Sequence, residues 1–231
     1  MYRIKHLNRF YDILQILEFK TGTRILASSN NRMDWPQQGV CFFFEPRELR
    51  ENGKQMRVVR MVIANPNADP LSALWDRLRQ HRGTISGKFA GGGNHRVSDF
   101  RYYIGSALIN RDSIDCPSWE ELDSSNTAIR KKEHSLETEI SQIINNMPFL
   151  WISTERSSKP GQLNQFIKHN AISLLSNYHR KFIYDPPSPH WLGHYCPEPA
   201  VRISGLWNSR GVDVPYNLKF LDYLEKLTRL V

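Results

Sequence analysis

An arginine and a histidine four residues apart are the side chains of this sequence that are best placed to act on a phosphate. Residues four apart face the same side of a helix, so the Arg77 guanidinium and the His81 imidazole would lie side by side. Such a pair could bind a phosphate and move a proton, or it could be a solvated basic flank of the helix. The apolar residues around the pair recur at helical spacing: Leu71, Leu74, Trp75 and Leu78.

The elements that would position this pair begin with a hairpin. Gly39–Glu45 is a dense apolar run, which predicts a buried strand, and Met56–Ile63 predicts a second strand. The turn residues Glu51–Lys54 lie between them, so the two strands are expected to pair. Asp69 and Pro70 then predict the start of the helix, because Asp caps free amides and Pro suits the first helical position.

The rest of the chain predicts an α+β fold with a small mixed or antiparallel sheet flanked by helices. Met147–Thr154 predicts a third strand, and Tyr184–Ser209, which is rich in proline, predicts an irregular wrap over the core. We expect one domain over residues 1–231, with an N-terminal helical extension (1–38), a core (39–178) and a C-terminal wrap and helix (179–231). Apolar periodicity predicts further helices at Leu7–Phe19, Phe100–Ile109, Arg130–Asn146, Gln162–Asn177 and Asn217–Leu230.

A glycine-rich basic loop follows the Arg77 helix. Gly87–Phe100 contains three consecutive glycines, and Asn94, His95 and Arg96 come directly after them. Glycines let a backbone approach a phosphate closely, and these three side chains can donate hydrogen bonds to it. The alternative is a flexible connection. The loop lacks the Lys-Ser/Thr pair and the following helix of a P-loop, so no nucleotide cofactor is expected.

Lysine and arginine outnumber aspartate and glutamate by 31 to 23, which gives the chain a net charge of +8. An excess of positive charge favours a polyanionic partner such as nucleic acid. The longest apolar runs are far shorter than a membrane span, and the amino terminus lacks the apolar segment of a secretion signal. The three scattered cysteines fit reduced thiols. We therefore expect a cytoplasmic protein with no membrane partner.

The order of strand, turn, strand and then a helix with Arg-x-x-x-His resembles the GIY-YIG nuclease superfamily. The resemblance implies a small sheet flanked by helices that hydrolyses DNA phosphodiesters with one divalent metal, Mg²⁺ or Mn²⁺. In such chemistry the metal and an arginine stabilise the charge that develops on the phosphate while a polarised water attacks. The segments that resemble a bacterial branch of GIY-YIG-like proteins are Gly39–Glu45, Arg57–Arg60, Leu74–Gly83, Gly91–Arg96, Met147–Trp151, Asn170–Ile172, Leu174–Asn177 and Ser204–Asn208.

The resemblance assigns roles to five residues. Arg77 and His81 match the helical residues that bind and polarise the phosphate, and Asn177 matches the asparagine that completes the site. The tyrosine that assists the attacking water falls on Cys41, a thiol that lacks the reach of a phenol. The position expected for the metal-binding glutamate holds Lys168, and a charged lysine repels a hard cation.

The Tyr-Ile-Gly sequence of the superfamily is absent from its expected strand. Arg60-Met61-Val62 stands at the aligned position, so both the tyrosine and the glycine are missing. Tyr103-Ile104-Gly105 does spell the motif, but it follows the Arg77 helix and is therefore in the wrong order. We interpret this occurrence as a coincidence.

Two hypotheses of different classes follow, and a third is an unrelated structural protein. In the first, the chain is a working nuclease in which Glu133 or Glu137 replaces the missing metal ligand. In the second, it no longer cuts and binds a DNA backbone, or a protein partner that supplies the active site. The residues expected to contact DNA are Arg60, Arg82, Asn94, His95, Arg96 and Lys168.

Overall fold

The computed structural model describes residues 2–64, 73–121 and 126–231. Within these residues the chain forms seven α-helices and one sheet of four strands. The strands are β1 (Arg24–Ile25), β2 (Gly39–Leu49), β3 (Met56–Ile63) and β4 (Pro148–Ser153). The helices are α1 (Tyr2–Thr21), α2 (Ala73–Arg82), α3 (Asp99–Asp112), α4 (Thr127–Asn145), α5 (Pro160–Leu175), α6 (Pro199–Ser204) and α7 (Lys219–Arg229).

Every pairing in the sheet is antiparallel, and the strand order is β1-β4-β2-β3. β2 is central, because Cys41 pairs with Val62 of β3 on one side and with Trp151 of β4 on the other. The α+β class and the predicted hairpin are therefore confirmed. β1 was not predicted, since two residues are too few to show an alternating pattern.

Helices cover both faces of the sheet, which explains why β2 is apolar at consecutive positions. Val40 and Phe42 pack with α1, α5 and α7 in what we call the first core. Cys41 and Phe43 pack with α2, α3 and α4 in the second core. Because successive residues of a strand point to opposite faces, a strand buried on both sides loses the alternation of apolar and polar residues.

A bulge in β3 turns Arg60 toward the second core. Phe43 pairs with Arg60, but the next residue of β2 pairs with Val58, so Val59 is an extra residue in β3. A bulge of this kind shifts the alternation of the strand by one residue. The buried Arg60 guanidinium consequently lies over the Phe100 ring of α3, 5.2 Å from its centroid.

The ends of several elements differ from the predicted ones. β2 continues through Pro46, because its pairing with β3 is interrupted between Phe44 and Leu49 and needs no amide hydrogen there. The predicted irregular wrap contains α6, which has only six residues and shows no periodicity. The predicted helix start at Asp69 and Pro70 lies outside the described residues, as does Leu71.

The displaced motif Tyr103-Ile104-Gly105 lies within α3 and not on a strand. A Cβ atom at Gly105 would lie 2.1 Å from the Trp119 ring, so glycine lets that buried ring pack against the helix. The glycine thus has a packing role in the second core. In the described part of the chain, no helix combines the length and the hydrophobicity needed to cross a bilayer.

Candidate functional site

Arg77 and His81 both lie on α2, and Arg77 is directed toward the start of α3. Its Nη1 donates to Gln80 Oε1 at 2.9 Å and to the Val97 carbonyl at 3.4 Å. Its Nη2 donates to Asp99 Oδ1 at 3.2 Å. The Arg77 side chain is 28% exposed, so the guanidinium lies at the surface of the protein in a fixed direction.

Asp99 joins the guanidinium groups of two elements. Its Oδ1 accepts from Arg60 Nη2 of β3 at 2.6 Å as well as from Arg77 of α2. Burial raises the pKa of the Asp99 carboxyl, but the charge and hydrogen bond of Arg60, with a smaller contribution from Arg77, outweigh burial and hold the pKa below its usual value. Asp99 is therefore an anion that brings two cations together.

A cavity of about 290 Å³ opens beside these arginines at the outer edge of β3. It is lined by the segment Arg60–Ala64, by Arg77 of α2, and by Gln165 and Lys168 of α5. We call it the β3-edge pocket. Three residues with cationic side chains, from three different elements, thus line one small space; Arg77 and Lys168 are partly exposed, whereas the Arg60 guanidinium is buried in its ion pair with Asp99.

Lys168 makes no ion pair or hydrogen bond with any residue that the structure describes. Burial, followed by the charges of Arg60 and Arg77, lowers its pKa from 10.5 to about 8, with a further lowering by Arg210 and an opposing effect of Asp99. The amine is therefore a partly buried cation without a neutralising partner. It is free to accept an anion.

His81 lies inside the protein and not on the wall of the pocket. Its Nδ1 is 2.7 Å from Ser98 Oγ, and its ring packs edge-on against Phe100. Burial, followed by the charges of Arg77 and Arg60, lowers the pKa of His81 well below its usual value. The imidazole is therefore neutral, and its buried Nε2 has no hydrogen-bond partner among the described residues.

Neither Cys41 nor Asn177 lines the β3-edge pocket. Cys41 is fully buried on the central strand, and burial raises the pKa of its thiol. Asn177 follows α5, where its Oδ1 accepts from Arg3 Nη2 at 3.1 Å and from the Tyr184 amide at 3.2 Å. Asn177 therefore fastens the chain after α5 to α1. The structure does not bring these two residues together with Arg77.

The two glutamates considered as metal ligands form ion pairs between α4 and the segment around α3. Arg96 donates to both oxygens of Glu133 at 2.7 and 2.8 Å. Glu137 accepts from Arg101 Nε at 2.8 Å and from the His95 amide at 2.6 Å. Neither carboxylate lines the β3-edge pocket, and the side chains of His95 and Arg96 are turned toward these carboxylates.

The glycine-rich loop packs around a buried arginine. A Cβ atom at Gly93 would lie 2.2 Å from Arg101 Cζ, so the glycine admits that guanidinium. Asn94 caps the short 3₁₀ turn that follows. Asn94 and Arg82 also line a cavity of about 480 Å³ beside α2, which we call the α2 groove.

A C-terminal segment closes part of the outer edge of β3; the sequence predicted a wrap over the core here but not its pairing with β3. The Trp207 amide donates to the Val59 carbonyl at 2.7 Å. Asn208 receives a hydrogen bond from the Met61 amide at 2.9 Å and returns one to the Met61 carbonyl at 3.1 Å. These contacts join residues about 147 positions apart, so no local pattern could have revealed them.

Asp99 and Arg210 are the two charged residues at the site that the sequence analysis missed. Asp99 follows the capping residue Ser98 at the start of α3, where an acidic residue is ordinary helix chemistry. Arg210 lies after α6 and acts on Lys168 only through the fold. The sequence signal at Asp99 predicts a helix start and nothing more.

The small antiparallel sheet flanked by helices, with the α2 arginine beside the second strand of the hairpin, is the architecture that the resemblance to the GIY-YIG superfamily implies. The GIY-YIG domain family matches residues 1–230, and the chain belongs to that family. The resemblance to the GIY-YIG superfamily is therefore confirmed. No curated protein and no solved structure matched the chain.

GIY-YIG nucleases generally depend on a divalent metal, so the fit of the site to one can be tested on its side chains. The β3-edge pocket presents Arg60, Arg77 and Lys168, which repel a hard cation. The Asp99 carboxylate is bound by both of those arginines. Over the described ranges, no group of three or more His, Cys, Asp or Glu side chains could hold a metal ion. The residues of the pocket do not fit the metal.

Proposed function

We propose that the chain binds the sugar-phosphate backbone of DNA at the β3-edge pocket, without a metal-dependent step there. One observation carries the proposal: the partly exposed Arg77 and Lys168, which has no partner among the described residues, line one cavity of about 290 Å³ together with the buried Arg60. A cation in a half-buried site attracts phosphate more strongly than a cation in open water does. Backbone phosphates are therefore the ligand class that this pocket fits best.

The path of the DNA beyond the pocket follows α2. Arg77 bonds to Gln80 and to Val97, and both residues line the α2 groove. That groove also presents Arg82 and Asn94, which could contact the next phosphates along the backbone. A strand laid from Lys168 across Arg77 into the α2 groove would meet donors along its whole length.

The test is a fluorescence-anisotropy titration of a short labelled DNA duplex with purified protein in EDTA, over a series of salt concentrations. We expect Arg77→Ala and Lys168→Ala each to weaken binding roughly tenfold and to reduce the salt slope by about one. Arg229→Ala and Lys132→Ala are the matched controls, since both side chains are exposed and lie outside the pocket. Equal losses in the controls and in the pocket variants would refute the proposal.

Asp99→Asn should act in the opposite direction in the same assay. In the absence of DNA, the Asp99 carboxylate accepts hydrogen bonds from Nη2 of both arginines, as a phosphate oxygen would. Asn keeps an acceptor oxygen but removes the negative charge, so we expect DNA to bind several-fold more tightly. Unchanged or weaker binding by a folded Asp99→Asn protein would argue against DNA contact with these arginines.

Metal-dependent hydrolysis, which the family membership suggests, is decided by a second assay. Supercoiled plasmid is incubated with the protein in Mg²⁺ or Mn²⁺, and nicking is followed on a gel. If the protein nicks the plasmid and the Arg77→Ala variant does not, the non-cutting proposal is overturned. Metal-dependent nicking by Lys168→Glu in an inert parent would instead support the alignment of Lys168 with the metal-binding glutamate.

A further inference from the structure

A groove between α5 and α7 has an apolar floor, a basic rim and a volume of about 590 Å³. We call it the α5–α7 groove. Its volume falls in the range of ligand-binding pockets. It shares no lining residue with the β3-edge pocket. Its floor is formed by Leu163, Phe166, Tyr223, Leu227 and Leu230, and its rim carries Arg156, Lys159, Lys219 and Lys226.

The rim charges of the groove are not neutralised within the described part of the chain. Lys159, Lys219 and Lys226 form no ion pair with a described residue, and no carboxylate lines the groove. The two acidic residues of α7, Asp222 and Glu225, are instead bound by Arg9 of α1. Helix α7 thus turns its acidic residues toward α1 and its lysines toward the groove.

The start of α5 adds to the positive potential at the same rim. Lys159 caps the helix without a side-chain hydrogen bond, and the first turn contains no acidic residue. The free amides at the start of a helix carry partial positive charge, which a nearby anion stabilises. The groove therefore combines a positive helix end with four cations around an apolar floor.

We propose that the α5–α7 groove binds an acidic peptide segment of a partner protein, with one or two apolar side chains seated on the floor. Charge complementarity selects this occupant. A second copy of the chain, with its net charge of +8, would be repelled. An amphipathic segment with apolar anchors one helical turn apart is a common occupant of such grooves.

The floor of the groove favours a peptide over single-stranded nucleic acid. Bases bind to exposed ring faces on which they stack. Here Phe166 and Tyr223 meet edge to face, with an interplanar angle of 89° and centroids 5.9 Å apart, so they do not form a row of parallel ring faces for successive bases, and the remaining floor is aliphatic. Leucine or phenylalanine side chains fit this surface, and carboxylates flanking them would reach Lys219 and Lys226.

The experiment uses a fluorescein-labelled synthetic peptide of about 15 residues, with leucines at helical spacing and Asp or Glu elsewhere. Its anisotropy is titrated with the full chain. We expect the Lys219→Glu, Lys226→Glu double variant to bind about tenfold or more weakly, and Tyr223→Ser to bind several-fold more weakly. The matched control is Lys131→Glu, Lys132→Glu on α4, where both lysines are exposed and should leave affinity unchanged.

Four results would overturn the proposal. The first is that the peptide does not bind, and the second is that the α4 control loses as much affinity as the groove variant. The third is that the affinity is unchanged after the leucines of the peptide are replaced by serine. The fourth is that an oligothymidine displaces the peptide in a manner that depends on Lys219 and Lys226. The last result would assign the groove to nucleic acid. Thermal unfolding of each variant separates loss of binding from loss of fold, and Lys219→Gln, Lys226→Gln replaces the double variant if its midpoint falls.

Discussion

Lys168 carries a charge that its surroundings disfavour. It is partly buried, and the nearby guanidinium groups of Arg60 and Arg77 repel it. Among the described residues that act on it, Asp99 favours its charged form, and that carboxylate already accepts hydrogen bonds from both arginines. A phosphate entering the pocket would relieve this repulsion, so the binding of an anion and the protonation of Lys168 should be coupled.

We predict that the affinity of the protein for DNA falls as the pH rises from about 7 to about 9, because Lys168 loses its proton through a pKa of about 8. Lys168→Arg keeps its charge over this range and should bind DNA with little pH dependence. The measurement is the anisotropy titration at constant ionic strength across the pH range. A pH profile that is the same in both proteins would refute the coupling.

The stability of the free protein should move in the other direction. The pKa of Lys168 is lower in the folded chain than its ordinary value of 10.5, so between pH 8 and 10.5 the unfolded chain binds more protons. The free energy of unfolding should therefore rise with pH in this window. Below pH 8 the folded chain bears the full penalty for burying the Lys168 charge. Because DNA affinity should fall with pH while the free energy of unfolding rises, a fall in affinity in this window reports loss of the Lys168 charge and not alkaline unfolding.

At the scale of elements, α3 and α4 are held together by a buried ion-pair cluster. Glu137 of α4 accepts from Arg101 Nη2 at 2.5 Å and faces His95 Nδ1 at 3.0 Å. Arg101 also donates to the carbonyl of His81, so the cluster reaches the end of α2. The helix that carries Arg77 is thus fixed by the same group of charges.

Glu137→Ala should lower the free energy of unfolding by about 3–5 kcal/mol, because it leaves the buried Arg101 guanidinium without its partner. Glu139→Ala is the control on the same helix: its ion pair with Arg111 is exposed, and its loss should cost less than about 0.5 kcal/mol. Urea denaturation measures both values. If both substitutions lowered the free energy of unfolding by similar, small amounts, Glu137 would again have to be treated as a free carboxylate and a candidate metal ligand.

The elements were predictable from the sequence because their apolar periods are local. The hairpin, the Arg77 helix and the two long helices predicted at Arg130–Asn146 and Gln162–Asn177 are present, and the α+β class follows from them. What the sequence could not provide is the direction of each charged side chain. Arg96 lies in a glycine-rich loop that suggests phosphate contact, yet it binds Glu133, which is 37 positions away. Conversely, the role of Lys168 depends on Arg210 and Arg60, which only the fold brings near.

At the scale of the whole molecule, the two cores are built from different parts of the chain but share one sheet. The second core contains or contacts all six tryptophans of the chain, and the first core contains none. The first core joins the two ends of the chain, since Phe10 of α1 packs on Phe42 of β2 and on Phe220 of α7. Tryptophan fluorescence therefore reports on one side of the sheet only.

This asymmetry allows a test of whether residues 1–231 fold as one domain. Phe10→Ala removes a fully buried ring from the first core and should cost about 3–5 kcal/mol, whereas Phe19→Ala on the same helix, where the ring is 93% exposed, should cost less than about 0.5 kcal/mol. In a single cooperative unit, Phe10→Ala must lower the urea midpoint of tryptophan fluorescence as far as that of far-UV circular dichroism, although no tryptophan belongs to its core. If the fluorescence midpoint stays in place while the dichroism midpoint falls, the two cores unfold separately. The β3-edge pocket, which takes Lys168 from α5 of the first core and Arg77 from α2 of the second, would then be lost when either core unfolds.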